Sequence, residues 1–201
     1  MAAKKKNRSY AVRTSDIHGR GVFATRKIRK GTVIVEYKGQ RTSYKKALRR
    51  SYSDPEDSAH TFLFELDDGR VIDAGVRGNA ARWINHSCDP NCVPFEDPEG
   101  RVFIEAIRKI RRGEELSYDY KLTIEGRLSK RERAGYACRC GSAKCRGTML
   151  DDGASSRKNQ APTNASHRCF PRTHATMVAM NALPRMIIPG MPRHPTEATS
   201  P

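Results

Sequence analysis

The stretch Arg82-Trp83-Ile84-Asn85-His86-Ser87-Cys88-Asp89-Pro90-Asn91-Cys92 decides how the rest of this chain is interpreted. An apolar, helix-compatible run at 80–84 ends there in a polar turn that carries an amide, an imidazole, a hydroxyl and two thiols. Residues of these types usually close a loop. The two cysteines can also bind a metal ion, and Asn85 and His86 can hold a polar ligand. Which role applies depends on partners elsewhere in the sequence.

The composition separates a central domain from two tails. The 201 residues suffice for one domain of ordinary size plus flanking segments. Residues 151–201 are mostly Ala, Ser, Thr, Pro, Asn, Arg and Met, without a helical or strand period. Because such a stretch buries little apolar surface, we predict a disordered tail there. Four of residues 1–9 are Lys or Arg, which predicts a basic N-terminal arm.

The charge of the chain is strongly positive. The formal net charge is +16; the tail holds six basic and three acidic residues, so +13 lies within residues 1–150. Such an excess favours nucleic acids, anionic substrates or partners bound to nucleic acid, although a solvated basic surface is an equally weighted alternative. No apolar run approaches the ~18 residues that span a bilayer, and no secretory segment follows Met1. We expect an intracellular monomer without membrane contact, in the cytoplasm or nucleoid of a bacterium or on chromosomes in a eukaryotic nucleus.

The cysteines indicate a metal site. Cys138, Cys140 and Cys145 form the pattern C-x-C-x₄-C. Thiolates this close in sequence can share one tetrahedral zinc ion, and intervening small residues permit the tight backbone wrap. Three ligands leave one position open, for which Cys88 and Cys92 are both candidates. Such a site would order a C-terminal segment that has no core of its own. Three unrelated reduced thiols are the alternative.

From residue 10 to residue 120 the chain predicts short strands and turns. The clearest unit is a hairpin, in which the runs 62–66 and 70–73 flank the turn Asp67-Asp68-Gly69. Further predicted strands lie at 10–13, 22–24, 32–37, 101–106 and 116–120, and predicted helical turns at 43–51, with Ser43 as the cap, and at 129–135. Many short strands with few helices predict a mostly β (α+β) domain.

Four motifs follow one another along the chain. They are His18-Gly19-Arg20-Gly21, the stretch 82–88, Gly113-Glu114-Glu115-Leu116-Ser117-Tyr118-Asp119-Tyr120, and the cysteine cluster at 138–145. Together and in this order they resemble the SET-domain protein-lysine methyltransferases with a post-SET zinc segment. The resemblance covers about residues 10–150. It implies a SET domain at 10–121 with a variable insert at 41–59, and a post-SET zinc segment at 134–150.

The fold that this resemblance implies is a set of small β-sheets with a C-terminal pseudoknot, an exception to the usual avoidance of threading. The pseudoknot would bring Asn85 and His86 beside residues 118–120, which lie over thirty positions later. The resemblance also implies that the fourth zinc ligand is Cys88, which leaves Cys92 as a packed thiol.

By the same resemblance, the cofactor is S-adenosylmethionine. The implied cofactor-binding residues are His18, Gly19, Arg20, Phe62, Asn85 and His86. Gly19 and Gly21 would let the backbone approach the methionine moiety, whereas a surface turn is the alternative role for His18. Phe62 stands where family members often carry a tyrosine, and it lacks the hydroxyl.

Two tyrosines match the catalytic positions of the family. The Tyr120 hydroxyl would orient a lysine amine, whose ammonium form is disfavoured by desolvation in an aromatic channel. Packing in the core is the alternative role for Tyr120. Tyr118 would crowd out further methyl groups, which implies monomethylation, with dimethylation as the next product.

The leading interpretation is therefore a protein-lysine N-methyltransferase that acts on a histone or another basic DNA- or RNA-associated protein, bound as an extended peptide. The enzyme and such a substrate are both basic and repel each other. Acidic residues in the groove or docking on nucleic acid would offset this repulsion, and a non-histone substrate would avoid it. The alternative is a non-catalytic SET module that binds a protein or a nucleic acid. The presence of Tyr118, Tyr120, Asn85 and His86 argues against that alternative.

Overall fold

The computed structural model describes residues 8–51, 62–123, 128–151 and 176–177. Within them the chain forms four small β-sheets and only short helices, so the predicted mostly β class is confirmed. The strands are β1 Tyr10–Thr14, β2 Arg20–Ala24, β3 Val33–Tyr37, β4 Gln40–Ser43, β5 Leu63–Glu65, β6 Arg70–Asp73, β7 Asn85–His86, β8 Cys92–Glu96, β9 Val102–Ala106, β10 Ser117–Tyr118 and β11 Thr176–Met177. The helices are α1 Tyr44–Ser51, a 3₁₀ helix Ala80–Trp83 and α2 Lys130–Ala134.

Two hairpins follow from turn chemistry. The predicted β5–β6 hairpin is present; Gly69 takes a φ of 75°, and Asp68 accepts the backbone N–H of Arg70 at 2.9 Å. In the β8–β9 hairpin, Oδ1 of Asp97 accepts the N–H groups two and four residues later at 3.1 and 2.8 Å. Gly100 closes this turn with a φ of 71°. Both turns use an aspartate and a left-handed glycine.

The sheets pack around one main apolar core. β3, β9 and β8 form a three-stranded sheet in that order, β11, β5, β6 and β4 a four-stranded sheet, and β1 pairs with β2. The core includes several side chains with no exposed surface: Val22, Ile84, Ile104, Ile110 and Leu116. Their positions on different elements mean that the core forms only when the sheets assemble.

The short parallel pair of β7 and β10 decides where the site lies. Asn85 lies opposite Ser117, and His86 lies opposite Tyr118. The N–H of Ser87 extends the pairing by donating to the Tyr118 carbonyl at 3.1 Å. The two segments are therefore side by side, as the pseudoknot implied by the resemblance requires.

Asn91 lies shortly after β7 and binds residues 114–117, just before and at the start of β10. Its side chain is buried, and its Nδ2 donates to the Glu115 carbonyl at 2.7 Å and to the Glu114 carboxylate at 3.1 Å. Its Oδ1 accepts the Ser117 N–H at 2.9 Å. One buried amide thus pairs backbone and carboxylate groups that would otherwise be unsatisfied.

Four strands were not predicted: β4, β7, β8 and β11. β4 is polar, and it becomes a strand by pairing with β6 along its whole length. β8 contains Pro94, which argues against a central strand; it is tolerated because β8 lies at the edge of its sheet. Of the predicted strand at 116–120, only Ser117–Tyr118 pairs.

The predicted helical turn after Ser43 is confirmed as α1, with the Lys46 N–H directed at the Ser43 hydroxyl at 3.4 Å. In the insert at 41–59, residues 52–59 lie outside the described residues, as do residues 1–7 of the basic arm. No helix in the described ranges is long and apolar enough to cross a membrane.

Two residues of the C-terminal tail differ from the predicted disorder. Thr176–Met177 form β11, which pairs antiparallel with Glu65 and Phe64 of β5. The physical reason is that the edge of β5 presents backbone N–H and C=O groups that need partners. The remaining positions of 152–201 lie outside the described residues.

Candidate functional site

A cavity of about 570 Å³ opens between the turn at 18–20, strand β7 and residues 134–149, which we call the cysteine-rich segment. This volume is typical of small-molecule sites, which measure about 300–1,000 Å³. All residues predicted to bind a cofactor line it: His18, Gly19, Arg20, Phe62, Asn85 and His86. Tyr120 also lies in its wall. The fold therefore gathers at one cavity residues that are up to 102 positions apart in sequence.

Asn85 fixes the turn that carries His18 and Arg20. The Asn85 side chain is buried, and its Nδ2 lies 3.3 and 2.9 Å from the carbonyl oxygens of these two residues. The Ser15 hydroxyl and the Glu115 carboxylate lie 3.1 and 2.8 Å from the same nitrogen. An amide NH₂ has two protons, so the acceptors around it outnumber its donors. This wall of the cavity therefore suits a cationic group of a ligand.

The two glycines of this turn have different roles. Gly19 has a φ of 45°, which glycine adopts without a steric penalty, and a Cβ there would meet nothing within 4 Å. At Gly21, a Cβ would collide with the Glu115 carboxylate and lie 2.9 Å from Cβ of Ser15. Gly21 is not among the residues that line the cavity, and its absent side chain leaves room for Glu115.

Arg82 and Trp83 form a wall that was not assigned from the sequence. The Trp83 and Phe62 rings meet edge to face with centroids 5.3 Å apart. The Arg82 guanidinium lies 4.6 Å from the Trp83 ring, and the Arg20 guanidinium lies 5.2 Å from it. Alternating cations and rings suit a flat, electron-rich ligand group. The only sequence signal for this wall was the single tryptophan within the decisive motif.

His86 is buried between the tyrosine segment and the cysteines. Its Nδ1 accepts the backbone N–H of Tyr120 at 3.1 Å, which assigns the ring proton to Nε2, 3.3 Å from Sγ of Cys88. Burial lowers the pKa of His86 to about 4, although the nearby Asp119 carboxylate opposes the shift. A neutral imidazole therefore joins Tyr120 to Cys88.

Tyr120 lines the cavity, and its hydroxyl is hydrogen-bonded. The hydroxyl donates to the Ile84 carbonyl at 2.8 Å, so its proton is engaged and its lone pairs remain as acceptors. Burial, reinforced by the Glu115 carboxylate, raises the pKa of Tyr120 well above its usual value. The phenol thus stays protonated at physiological pH and acts as a fixed dipole, not as a base.

A cluster of aromatic rings continues inward from Tyr120. The Tyr118 ring lies 5.0 Å from the Tyr120 ring, and Phe64 lies 5.7 Å from Tyr118. Tyr37 meets Phe64 at 4.5 Å and donates its hydroxyl to the Phe62 carbonyl. Burial raises the pKa values of Tyr37 and Tyr118. These rings provide an apolar environment for a side chain that arrives beside Tyr120.

Four thiols meet at the other end of the site. The Sγ atoms of four cysteines all lie within 4.8 Å of one another: Cys88, Cys138, Cys140 and Cys145. Backbone N–H groups of Cys140, Arg146 and Gly147 are directed at three of the sulfurs at 3.3–3.4 Å. Such N–H contacts stabilise thiolates, and four thiolates are the donor set of a structural zinc site. The structure thus places Cys88, and not Cys92, with the C-x-C-x₄-C cluster.

Cys92 is a packed thiol in β8. It is 1% exposed, and burial raises its pKa to about 12. Its sulfur does not belong to the group of four whose Sγ atoms lie within 4.8 Å of one another. Its Sγ donates to Oδ1 of the adjacent Asn91 at 3.3 Å.

The cysteine-rich segment also lines the cavity, through residues that no motif marked. The contributing residues are Ala134, Gly135, Ala137, Arg139 and Met149. These residue types carry no recognisable ligand signal, and only the position of the segment over the cavity reveals their role. A segment without its own core thus supplies one side of the site.

Arg146 connects this segment to residues 118–120. Its guanidinium donates two hydrogen bonds to the Asp119 carboxylate, at 2.7 and 2.8 Å. Burial disfavours the charged carboxylate, but the hydrogen bonds and charge of Arg146 outweigh it and lower the pKa of Asp119. The pair is a bidentate contact with little exposure of either side chain.

Comparison with known proteins agrees with these features. The family model for the SET domain matches residues 19–121. The chain is 42% identical over 154 residues to histone-lysine N-methyltransferase trr of Drosophila melanogaster, and 39% identical over 152 residues to human histone-lysine N-methyltransferase 2B. It resembles a solved structure of ctPRC2 in an autoinhibited conformation bound to S-adenosylmethionine, with 31% identity and a TM-score of 0.52.

The matched region is a small part of these larger proteins. The alignments cover 74% and 71% of this chain but 6% and 5% of the fly and human relatives. The structural match covers 56% of this chain and 15% of the other chain.

Proposed function

Because the chain belongs to the SET-domain family, we propose that it is an S-adenosylmethionine-dependent protein-lysine N-methyltransferase. The observation that carries this proposal is the position of Tyr120. Tyr120 lies in the wall of the cofactor-sized cavity, while its ring packs against Tyr118, the first ring of the aromatic cluster that continues to Phe64 and Tyr37. One hydroxyl thus stands where a methyl donor and a lysine side chain can meet.

The cavity fits the chemistry of the proposed cofactor. The carbonyl oxygens of His18 and Arg20 suit its ammonium group, and the Arg20 side chain suits its carboxylate. Phe62, Trp83 and Met149 offer apolar surface for its adenine ring. When bound, S-adenosylmethionine supplies a methyl group on a sulfonium. Phe62 provides this contact without the hydroxyl that relatives often carry.

The chain's own residues would prepare the lysine for attack. The aromatic cluster excludes water, which disfavours the ammonium form and lowers the pKa of an entering lysine. The free amine held beside Tyr120 would be the nucleophile for the methyl group that the cofactor supplies, and the proton lost from the nitrogen would leave to solvent. Since the Tyr120 proton is held by the Ile84 carbonyl, the hydroxyl lone pairs can orient the amine and the methyl group.

We propose that the four clustered thiols bind zinc and thereby order the segment that closes the cavity. The donor set is complete without water, which is typical of a structural rather than a catalytic site. The ion would fix Cys88 next to His86, and residues 134–149 next to the cofactor.

The relatives' names and the charge of the chain support a proposal for the substrate class. We propose a histone or another basic nucleic-acid-associated protein, bound as an extended peptide, with monomethylation as the main outcome because the Tyr118 hydroxyl limits space. In a eukaryote this activity would act on chromosomes. The net charge of +16 also supports contact with nucleic acid. We propose a monomer as the active form.

The test is methyl transfer from labelled cofactor to recombinant histones and to other basic proteins. Wild-type protein should label at least one substrate on lysine, and Tyr120→Phe should label it at least about a hundredfold more slowly, in line with loss of a positioning group. Cofactor binding by calorimetry should persist in this variant. Binding of cofactor without any transfer would favour a non-catalytic SET module, and equal rates for the two proteins would refute the role of Tyr120.

A further inference from the structure

The sequence contains a nine-residue repeat that was not recognised from the sequence alone. The first copy is Ala24-Thr25-Arg26-Lys27-Ile28-Arg29-Lys30-Gly31-Thr32, and the second is Ala106-Ile107-Arg108-Lys109-Ile110-Arg111-Arg112-Gly113-Glu114. The first eight positions of both copies follow the pattern A-x-R-K-I-R-[K/R]-G. We call residues 24–32 and 106–114 the paired basic loops, because the fold places them against each other.

The paired basic loops are related by an approximate two-fold arrangement. Ile28 and Ile110 exchange two backbone hydrogen bonds, of 2.9 and 3.0 Å. The glycine of each loop donates to the carbonyl of the first alanine of the other loop, at 2.7 Å in both directions. Both glycines have positive φ, 79° at Gly31 and 87° at Gly113. The two isoleucines are buried and anchor the loops in the core.

All basic side chains of these loops point to solvent. The exposed residues are Arg26, Lys27, Arg29, Lys30, Arg108, Lys109, Arg111 and Arg112. Glu114 is the only acidic residue in the two loops, and it pairs with Arg108 at 2.6 Å. Among the described residues, the other seven cations form no ion pair. The loops therefore carry a net charge of +7 on a small surface.

This arrangement places like charges opposite one another. In the register that the Ile28–Ile110 bridge sets, Lys27 lies across from Arg111, and Arg29 lies across from Lys109. Because side chains alternate between faces, these four cations project away from the buried isoleucines. Like charges directly opposite are destabilising when nothing neutralises them. A bound polyanion would remove this repulsion.

The paired basic loops lie apart from the cofactor cavity. β2 begins at Arg20 in the cavity wall and ends at Ala24 in the first loop, which corresponds to about 13 Å of extended strand. No residue of either loop lines the cavity. A ligand on the loops would therefore leave the cofactor site open.

We propose that the paired basic loops bind the sugar-phosphate backbone of nucleic acid. Flexible Lys and Arg side chains contact phosphates and fix position without reading sequence. Closely spaced cations on two loops match the spacing of charges along a nucleic-acid strand better than the scattered carboxylates of a folded acidic protein. Binding there would offset the repulsion between a basic enzyme and a basic substrate; this consequence, unlike the binding, rests on the proposed function.

The test compares two variants of the full, zinc-loaded chain that remove the same charge. The loop variant is K27Q/R29Q/K109Q/R111Q, and the control K45Q/K46Q/K130Q/R131Q removes four exposed cations of α1 and α2. Binding of a short fluorescein-labelled DNA duplex is measured by anisotropy at several salt concentrations, without cofactor or substrate. The loop variant should bind at least tenfold more weakly, with a salt slope shallower by about 3–4, since each lost phosphate contact contributes about 0.9. The control should stay close to wild type.

Equal weakening in both variants would overturn the proposal, because net charge alone would then explain binding. Normal DNA binding by a correctly folded loop variant, judged by circular dichroism, would also overturn it. Loss of binding to polyglutamate but not to DNA would assign the loops to an acidic protein partner instead. Since neither measurement involves methyl transfer, an inactive enzyme would leave the result unchanged.

Discussion

Arg146 and Asp119 connect the cysteine-rich segment directly to the segment that carries Tyr120. The Arg146 guanidinium donates hydrogen bonds to both carboxylate oxygens of Asp119, and the two side chains are only 18% and 15% exposed. Arg146 follows the ligand candidate Cys145, and Asp119 precedes Tyr120. Order in the proposed zinc segment is therefore transmitted to the tyrosine through one bidentate contact.

Arg146→Ala should uncouple the two segments. Loss of a partly buried, charge-assisted pair leaves Asp119 without its main partner, and we expect kcat/KM for methyl transfer to fall by about 10–100-fold, which corresponds to about 1.5–3 kcal/mol. Zinc content should stay near one ion per chain. Lys144→Ala is the matched control, because its pair with Asp89 is largely exposed and contributes little. Equal rates in both variants would contradict the coupling.

The metal site should depend on the four clustered cysteines and not on Cys92. Cys140→Ser is expected to lower the zinc content well below one ion per chain and to reduce Tm, since the segment lacks a core of its own. Cys92→Ala should keep the ion, as its thiol is buried in β8. Atomic emission on purified protein measures the metal. Near-normal zinc in Cys140→Ser would refute the four-cysteine site.

Gly21→Ala should destabilise the fold through the Glu115 carboxylate. The new Cβ would overlap this group, and overpacking of this kind costs about 1–3 kcal/mol of unfolding free energy. The φ of Gly21 is not in the left-handed region, so the clash alone should carry the effect. In a Glu115→Ala background the same substitution should cost less, with the 2.9 Å approach to Cβ of Ser15 as the remaining close contact, as urea denaturation of all four proteins would measure. A cost independent of Glu115 would disprove this explanation.

Asn91→Ala should reduce stability more than its small change in volume suggests. The substitution leaves the buried Ser117 N–H and the Glu115 carbonyl without their partner, which we expect to cost about 2–4 kcal/mol. Asp89→Ala, an exposed change in the same turn, should cost less than about 1 kcal/mol. Chemical denaturation gives both values. Similar stabilities of the two variants would show that Asn91 does not hold the segments together.

Tyr118→Phe should shift the product toward higher methylation states. The substitution removes the hydroxyl next to Tyr120 while it keeps the ring that packs on Phe64. Mass spectrometry of a methylated peptide should show mainly monomethyl-lysine for wild type and a larger share of di- and trimethyl-lysine for the variant. An unchanged distribution at matched turnover would mean that another residue limits the space.

Local sequence signals predicted much of the architecture. The β5–β6 hairpin followed from alternating apolar residues around Asp67-Asp68-Gly69, and the start of α1 from Ser43. These features depend on residues that are adjacent in sequence, where turn and capping preferences act directly. β4 and β8 escaped prediction because pairing with β6 and β9 overrides their weak strand character.

Most of the site residues with polar side chains were identified from motifs, while the residues that only shape the cavity were not. His18, Asn85, His86 and Tyr120 line one cavity as expected. Position in the fold alone gives a role to Met149, Ala137, Arg82 and Trp83, because their side-chain types are not specific to ligand sites. The different tasks of Gly19 and Gly21 likewise depend on what lies next to each glycine, and no property of glycine itself distinguishes them.

The sequence by itself determined the fold class, the residue types of the site and the set of thiols, because these follow from composition, motif order and short-range spacing. Only the tertiary structure decided which wall Arg82 and Trp83 build and that the two R-K-I-R loops meet. The physical reason is that each of these depends on the parallel pairing of β7 with β10 or on the Ile28–Ile110 bridge. Both contacts join segments more than thirty residues apart, and their stability comes from burial of a shared core.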